Sequence, residues 1–345
     1  MFRFLILTFA LFLLTSTAVY SQKRSDLERK EINGKVKKIE YFYTYFDGKN
    51  SVQTRIPRIV EIFDEQGNIV ERSVFHDGAV SSKVVYFYDK LGRKIRDESF
   101  SAALDKTLSQ PTRTEYVLDD AGNVTELKVY SRKDNTVDVR HLFKYDARGN
   151  QIERDYGAAG KSLITFDDKN NVVSEINYDR GGAIYGKTLF EYNDKNQKTK
   201  VTIYSHGMFY TDARLRYETT FEYDVKGRIS EQETREFNAE PNVVWSHAPK
   251  LGKILYRYDD TKKTKETLEY SVDGYFRASS FTIFDEKGNE IGISCAGKEL
   301  KTCKTVYELE YDKFGNWTKK TRFAGENSGD VSAPYYLEER IISYF

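Results

Sequence analysis

Four histidines, His76, His141, His206 and His247, are the side chains best suited to proton transfer near neutrality and to ligation of transition metals. They fall at separate points of the chain, with no HExxH spacing and no neighbouring Cys/His set. Surface or loop positions are therefore expected for them. Four Asp residues are followed seven places later by Glu: Asp64 and Glu71, Asp119 and Glu126, Asp146 and Glu153, Asp224 and Glu231. A calcium site needs further oxygen ligands at close spacing, which these stretches lack, so the Glu residues read as solvated charges on an open strand face. A glycosidase needs two carboxylates brought together by the fold, and with 53 acidic residues the sequence selects no pair. G-x-S-x-G, P-loop and dinucleotide fingerprints are absent. The sequence thus predicts no catalytic residue, no metal and no cofactor.

Cys295 and Cys303 are the only cysteines, and the AGKELKT between them has a turn-like middle flanked by strand-like residues. That places the two sulfurs across a hairpin, where a disulfide would contribute about 2–3 kcal/mol by the chain-entropy argument. Zinc or C-x-x-C redox chemistry does not fit this spacing. Asn123 and Asn316 begin glycosylation sequons, but each also belongs to a turn motif that explains it without sugar. Trp245 and Trp317, with 26 tyrosines, are candidates for stacking on glycan rings.

The compartment is set by residues 1–21: Arg3, an apolar run from Phe4 to Leu14, then short and small residues to Ser21. This 11-residue run makes about 16 Å of helix against the roughly 30 Å of a bilayer core, the layout of a secretory signal peptide. Cleavage is expected after Ser21, releasing a chain that starts at Gln22 and is secreted, periplasmic or held at the cell envelope. Lys+Arg 54 against Asp+Glu 53 leaves a formal charge of +1, which gives no electrostatic drive toward nucleic acid.

These residues must be positioned by a repeat whose signature is an aromatic, Asp, two variable residues, Gly, then Asn or Arg. It occurs as FDEQGN (Asp64, Gly67), YDKLGR (Asp89, Gly92), YDARGN (Asp146, Gly149), YDVKGR (Asp224, Gly227), FDEKGN (Asp285, Gly288) and YDKFGN (Asp312, Gly315). Weaker copies are LDDAGN at Leu118, FDDKNN at Phe166, YNDKNQ at Tyr192 and YDDTKK at Tyr258, making ten copies spaced 21 to 35 residues apart. Asp at the first turn position can accept from amides two residues on, and Gly supplies the positive φ of a tight hairpin. Asn170 and Asn196 replace Gly, as the non-glycine residue best suited to that geometry. Aromatic or apolar residues one and three places before the Asp, such as Tyr86 and Tyr88 or Phe221 and Tyr223, share a strand face. Phe63 and Phe284 break the pattern, with Glu61 and Thr282 in their partner positions.

The recurrent Tyr-Asp-x-x-Gly-Asn/Arg signature resembles the YD repeats of the RHS class of bacterial secreted and cell-surface proteins, over about residues 59 to 323. The DPxG-type cleavage motif of large RHS relatives is absent and no toxin-sized domain follows Phe323. The resemblance therefore implies a YD-repeat β architecture in an exported bacterial protein, without a toxin cargo.

Together these readings predict an all-β chain, an antiparallel β-hairpin repeat array forming a curved or coiled meander of about 20 strands. Its expected parts are the signal peptide (1–21), a short helix from Ser25 to Glu31 and a first strand (22–58), the repeats (59–323) and a C-terminal cap (324–345). A membrane barrel is not expected, because both faces of stretches such as RISEQETREF carry ionisable groups. The expected role is a non-enzymatic scaffold or interaction surface, its partner an envelope protein or an extracellular glycan. The alternatives are a carbohydrate-binding module and an enzyme assembled from distant repeats.

Overall fold

The alternation of aromatic or β-branched residues with polar ones yields strands, and each Asp-x-x-Gly stretch turns one strand back on the next. A computed structural model describes residues 25–46, 57–103, 107–205, 214–237, 252–271, 273–286, 288–297, 303–326 and 334–345. The expected signal peptide, Trp245, His206 and His247 lie outside the described residues. Among the described residues there are 22 strands, from β1 (Val36–Tyr45) and β2 (Pro57–Phe63) to β21 (Trp317–Glu326) and β22 (Pro334–Tyr344). All pair antiparallel, each with its neighbours in sequence, and β1 also pairs with β22 over nine Cα partners. The meander therefore closes into a barrel. The segment expected as a C-terminal cap supplies the closing strand.

Twenty-two strands at about 4.8 Å each have a perimeter of roughly 105 Å, too wide for side chains to fill, so the wall encloses a lumen. Burial agrees. Every residue of β4 (Ala79–Tyr88), β9 (Gln151–Asp155) and β11 (Val172–Tyr178) is half-buried, on both faces. A second layer would bury alternate residues. The sequence's aromatic stripe, which a packed meander would bury, is thus only half-buried around most of the wall because nothing packs over it.

The cross-strand register separates the faces around the whole ring. One carries the turn aromatics: Tyr86 is the Cα partner of Asp97, Phe190 of Val201, Tyr256 of Thr267 and Leu309 of Lys320. The other carries cross-strand ion pairs, including Lys83–Glu71, Lys200–Glu218, Lys253–Glu231 and Arg257–Glu266. All four Glu residues noted seven places after Asp join such pairs, with Arg140 at Glu126 and Lys144 at Glu153, and Lys128 on the same strand adds to Glu126. They are half-buried in the wall rather than fully solvated, each compensated by Lys or Arg.

The ten sequence copies are ten turns on one rim. In nine, the Asp or Asn amide donates to the carbonyl four residues on, as in Asp64 to Asn68 and Asp312 to Asn316. Asn170 and Asn196 take φ of 71° and 65°, as their place in the motif requires. The turn at Asp259 differs, with Asp259 directly opposite Thr264 and Lys263 at φ 51°. An eleventh motif-like stretch, YDRGGA at Tyr178, forms the same backbone turn on the opposite rim: the Asp179 amide donates to Ala183. Gly315 has φ 82° and open space where a Cβ would sit. Gly315→Val is therefore expected to cost about 1–2 kcal/mol from backbone strain alone. Gly227→Val adds only a flexible contact with Gln197 Nε2 at 3.0 Å. Denaturant melts of both variants test this, and parent-like midpoints would remove the turn assignment.

Among the described residues there is one small core. The single described α-helix, α1 (Asp26–Arg29), is half the length expected from Ser25 to Glu31 and starts in a capping box between Ser25 and Glu28. Leu27 and Ile32 pack with Val36, Ile39, Tyr41, Phe63 and Ile69 where the ring closes.

Candidate functional site

The motif residues build the rim. In Asp146 the carboxylate accepts from the Arg148 and Asn150 amides and from the Asn150 side chain, all at 2.8–2.9 Å. Arg93 and Arg228 replace that Asn and close the ring through Nε, at 2.6 and 2.8 Å. This is why the motif ends in Asn or Arg: either can donate both from its backbone and from its side chain to one carboxylate. The same side chains reach the next turn, Asn150 to Asn170 and Arg228 to Asp260.

The tyrosine that opens the motif does more than share a strand face with its aromatic partner. Its hydroxyl donates across to the preceding repeat, to the carbonyl of the first strand residue after that turn. The pairs are Tyr88 to Ile69 at 2.8 Å, Tyr145 to Val124 at 2.9 Å, Tyr192 to Val172 at 3.0 Å, Tyr223 to Lys198 at 2.7 Å and Tyr258 to Ile229 at 3.1 Å. Recurrence of Tyr over Phe at this place was the signal available in the sequence.

These contacts set an acid limit. The Asn150 side-chain amide, with backbone amides, holds the Asp146 carboxyl below its ordinary value; Asn171 does the same for Asp167, and the Arg228 backbone and guanidinium for Asp224. A carboxyl lowered in the folded state contributes stability that is present above its unfolded value near 3.9 and is lost as pH falls below it. Stability is expected to hold down to about pH 5 and to drop through pH 4 and below. Asp146→Asn should flatten that slope in urea melts taken across the range.

A second group lies on the aromatic face where β22, β1, β2 and β3 (Ile69–His76) meet. Register places Tyr41 opposite Arg340, Tyr43 opposite Glu338 and Tyr45 opposite Tyr336. Tyr43 and Tyr336 stack with centroids 6.0 Å apart, and Tyr45 tilts against Tyr336 at 4.9 Å. The Arg340 guanidinium lies 3.3 Å from the Trp317 ring centre, its Nε buried without a hydrogen-bond partner. Glu61, where the motif aromatic is missing, is buried and bonded to Lys30 at 3.0 Å and to the Tyr41 hydroxyl at 3.0 Å. Burial, reinforced by Glu61, pushes the Tyr41 phenol up, and burial raises Glu338 against the opposing pull of Arg340. Burial likewise raises Tyr43 and Tyr336, so with Tyr41 they stay protonated at neutral pH. Beside them a cavity of about 460 Å³ is lined by Tyr43, Arg58, Ile59, Val74, Phe75, His76 and Ser81. Stacking rings, phenols and a guanidinium thus lie together on this face.

The remaining candidates are dispersed. His76 sits 3.3 Å from Asp77 in solvent, and His141 packs edge-on against Tyr156. The Asn316 side chain is buried and engaged with Asp312, Asn33 and Tyr344, so its sequon is structural. Asn123 is held by Asp119 at 2.9 Å. Cys295 and Cys303 are direct Cα partners between β19 (Glu290–Gly297) and β20 (Cys303–Tyr311). Among the described residues no three His, Cys, Asp or Glu cluster as metal ligands, and no helix is long and apolar enough to cross a membrane.

Neither a protein-family profile nor a curated protein sequence matches this chain. Solved structures show distant likeness. A TcdB2-TccC3-TEV crystal structure is 11% identical over 86% of this chain and 16% of its own, with a TM-score of 0.33. The Photorhabdus luminescens Tc holotoxin pore is 11% identical over 84% and 16%, at 0.34. A porin-like protein from Bacteroides uniformis is 11% identical over 89% and 98%, at 0.28. The chain spans about one sixth of the length of the Tc chains it matches.

Proposed function

We propose that the chain is an exported, non-enzymatic YD-repeat barrel of RHS type that serves as an interaction scaffold at the cell envelope or outside the cell, its aromatic face turned to the lumen. The observation that carries this reading is the use of the motif residues: their carboxylates, amides and phenols are spent on holding neighbouring turns together. The helix and the small core lie against the aromatic face, while the opposite face carries ion pairs suited to water. Fractionation of expressing cells tests export. The product should be found outside the cytoplasm and begin at Gln22, whereas a cytoplasmic product that keeps residues 1–21 would overturn the proposal.

A glycan is the second reading, favoured by the Tyr43, Tyr45 and Tyr336 rings beside the cavity. A glycan array should lose its hits in Tyr45→Ala, and the reading fails when no hit depends on that ring or on Trp245. Export also supports a Cys295–Cys303 disulfide. Directly opposed antiparallel residues have Cα atoms about 4.5–5.5 Å apart, within the span a disulfide bridges. No thiol should titrate before reduction, and reduction should lower stability by about 2–3 kcal/mol.

A further inference from the structure

The first and last described stretches of the chain meet in the geometry of the repeat's own turn. The Phe345 amide donates to the Lys35 carbonyl at 2.9 Å, as Asp64 does to Asn68. Gly34, just before Lys35, has φ 88°, beside 84° at Gly67 and 82° at Gly315. Tyr344 is the Cα partner of Val36, with a register shift beside it, as Tyr88 is of Lys94 and Tyr145 of Gln151. The Tyr344 hydroxyl donates to Asp312 and accepts from Asn316 Nδ2, the same two contacts that Tyr311 makes with Asp285 and Asn289. In ring order, Tyr344 and Phe345 followed by Ile32, Asn33, Gly34 and Lys35 spell Y-F-I-N-G-K, the motif with Phe in place of Asp and Lys in place of Arg.

We propose that the ring has eleven repeats, the eleventh divided between the two chain ends, and that Asp26 to Tyr45 is a clasp. It closes the ring last and is where the ring opens to expose the aromatic face while the other turns stay folded. Strands next to each other elsewhere in the ring are consecutive in sequence; β1 and β22 are joined by non-covalent contacts alone. The substitutes for a covalent turn are visible. The Asn33 amide donates to Asn316 Oδ1 at 2.8 Å while Asn316 Nδ2 returns a bond to the Asn33 carbonyl at 2.9 Å. The Leu27 amide donates to Gly67, and the Ile69 amide donates to Asp26 at 2.7 Å. These contacts tie α1 to the first turn and Asn33 to the last, so the segment spans the closure like a strap. Withdrawing it leaves the edges of β2 and β22 unpaired, a state that can reclose or accept another strand. The clasp does not depend on what the aromatic face binds.

Amide exchange on the full chain tests the clasp. Two valine variants separate it from ordinary turn strain. Gly34→Val places its Cβ 2.9 Å from the Tyr344 ring at φ 88°, whereas Gly149→Val imposes the same kind of strain at φ 83° with nothing within 4 Å. In the parent, β1 and β22 amides should exchange together, about tenfold faster than those of β11 and β12 (Ile184–Tyr192), the mark of a sub-global opening. Gly34→Val should speed the seam further and leave β11 and β12 unchanged; Gly149→Val should leave the seam unchanged. Lys38 and Ser343 are Cα partners, so an oxidised Lys38→Cys/Ser343→Cys chain should slow the seam to the level of the rest, while Lys38→Cys alone should not. If Gly34→Val does not fold, the cross-linked chain carries the test. Uniform exchange around the parent ring, equal seam effects from the two valine variants, or no slowing on cross-linking would overturn the clasp.

Discussion

Ile39→Ala is expected to lower the stability of the barrel by about 3 kcal/mol, the middle of the range for truncating a buried aliphatic side chain. Ile39 is fully buried, with 0% exposure, on β1, between its Cα partners Glu61 and Ile342. The ledger at this point of the ring is unlike that elsewhere. A tight turn brings two strands together over about six residues, whereas Val36 and Tyr344 are separated by the whole array. By the logarithmic scaling of loop closure that difference costs at most roughly 3–4 kcal/mol, an upper bound because a curved sheet already brings its ends near. Among the described residues the hydrophobic cluster lies at this seam, with α1 over it. Removing three carbons from Ile39 leaves a cavity among Leu27, Val36 and Phe63 and takes away much of what offsets the closure entropy. Ile283, a similar side chain on β18 (Phe276–Phe284), is 43% exposed, so Ile283→Ala should change stability by less than about 1 kcal/mol. Urea melts of the two variants decide the matter. Equal shifts in midpoint would mean that the cluster does not hold the ring closed.

The contrast between these isoleucines also explains what the sequence could and could not convey. The ten turns were legible because their chemistry is local: an Asp, the amides two and four residues on, and a glycine or asparagine that accepts positive φ all lie within six residues. The shared face of Tyr86 and Tyr88 was legible for the same reason, as a period of two. Closure was not. The residues that make it, Gly34, Lys35, Tyr344 and Phe345, are divided between opposite ends of the chain, and Phe345 lacks the carboxylate by which the other copies announce themselves. The seam cluster of Tyr43, Glu338 and Arg340 was hidden likewise, since only the β1–β22 register sets these side chains together. Glu61 did stand out, as the break in the aromatic pattern, and the structure gives the break a cause: a carboxylate fits there because Lys30 and Tyr41 satisfy it. The hydroxyl bonds from one repeat's tyrosine to the previous repeat's backbone needed the strand pairing before they had an acceptor.

Gly160→Ala is expected to cost about 3–5 kcal/mol, far more than a glycine change on the turn rim. Gly160 ends a single 3-10 turn, Gly157–Ala159, between β9 and β10 (Lys161–Phe166), on the rim opposite the repeated turns. Its φ of 96° and ψ of −160° fall in a region that only glycine occupies readily. A Cβ there would lie 2.0 Å from the Tyr178 carbonyl oxygen and 3.0 Å from Asp179 Cα. Both are backbone atoms at the start of the YDRGGA turn, so no rotamer change can make room. Relief requires either moving that turn, which disturbs the pairing of Lys161 with Tyr178, or giving up the Tyr156 amide bond to Gly160 at 2.8 Å. Gly149→Ala isolates the conformational share of the effect, since φ there is 83° and the space is open, and it should cost about 1–2 kcal/mol. At Gly149 and Gly315 the repeated rim therefore needs glycine for dihedral angle alone, whereas this point on the variable rim needs it for dihedral angle and for close approach of neighbouring connections. Amide exchange would place the damage: β9 to β12 should lose protection in Gly160→Ala while β1 and β22 keep theirs. Similar losses of stability in the two alanine variants would show that the variable rim is as loosely packed as the repeated one.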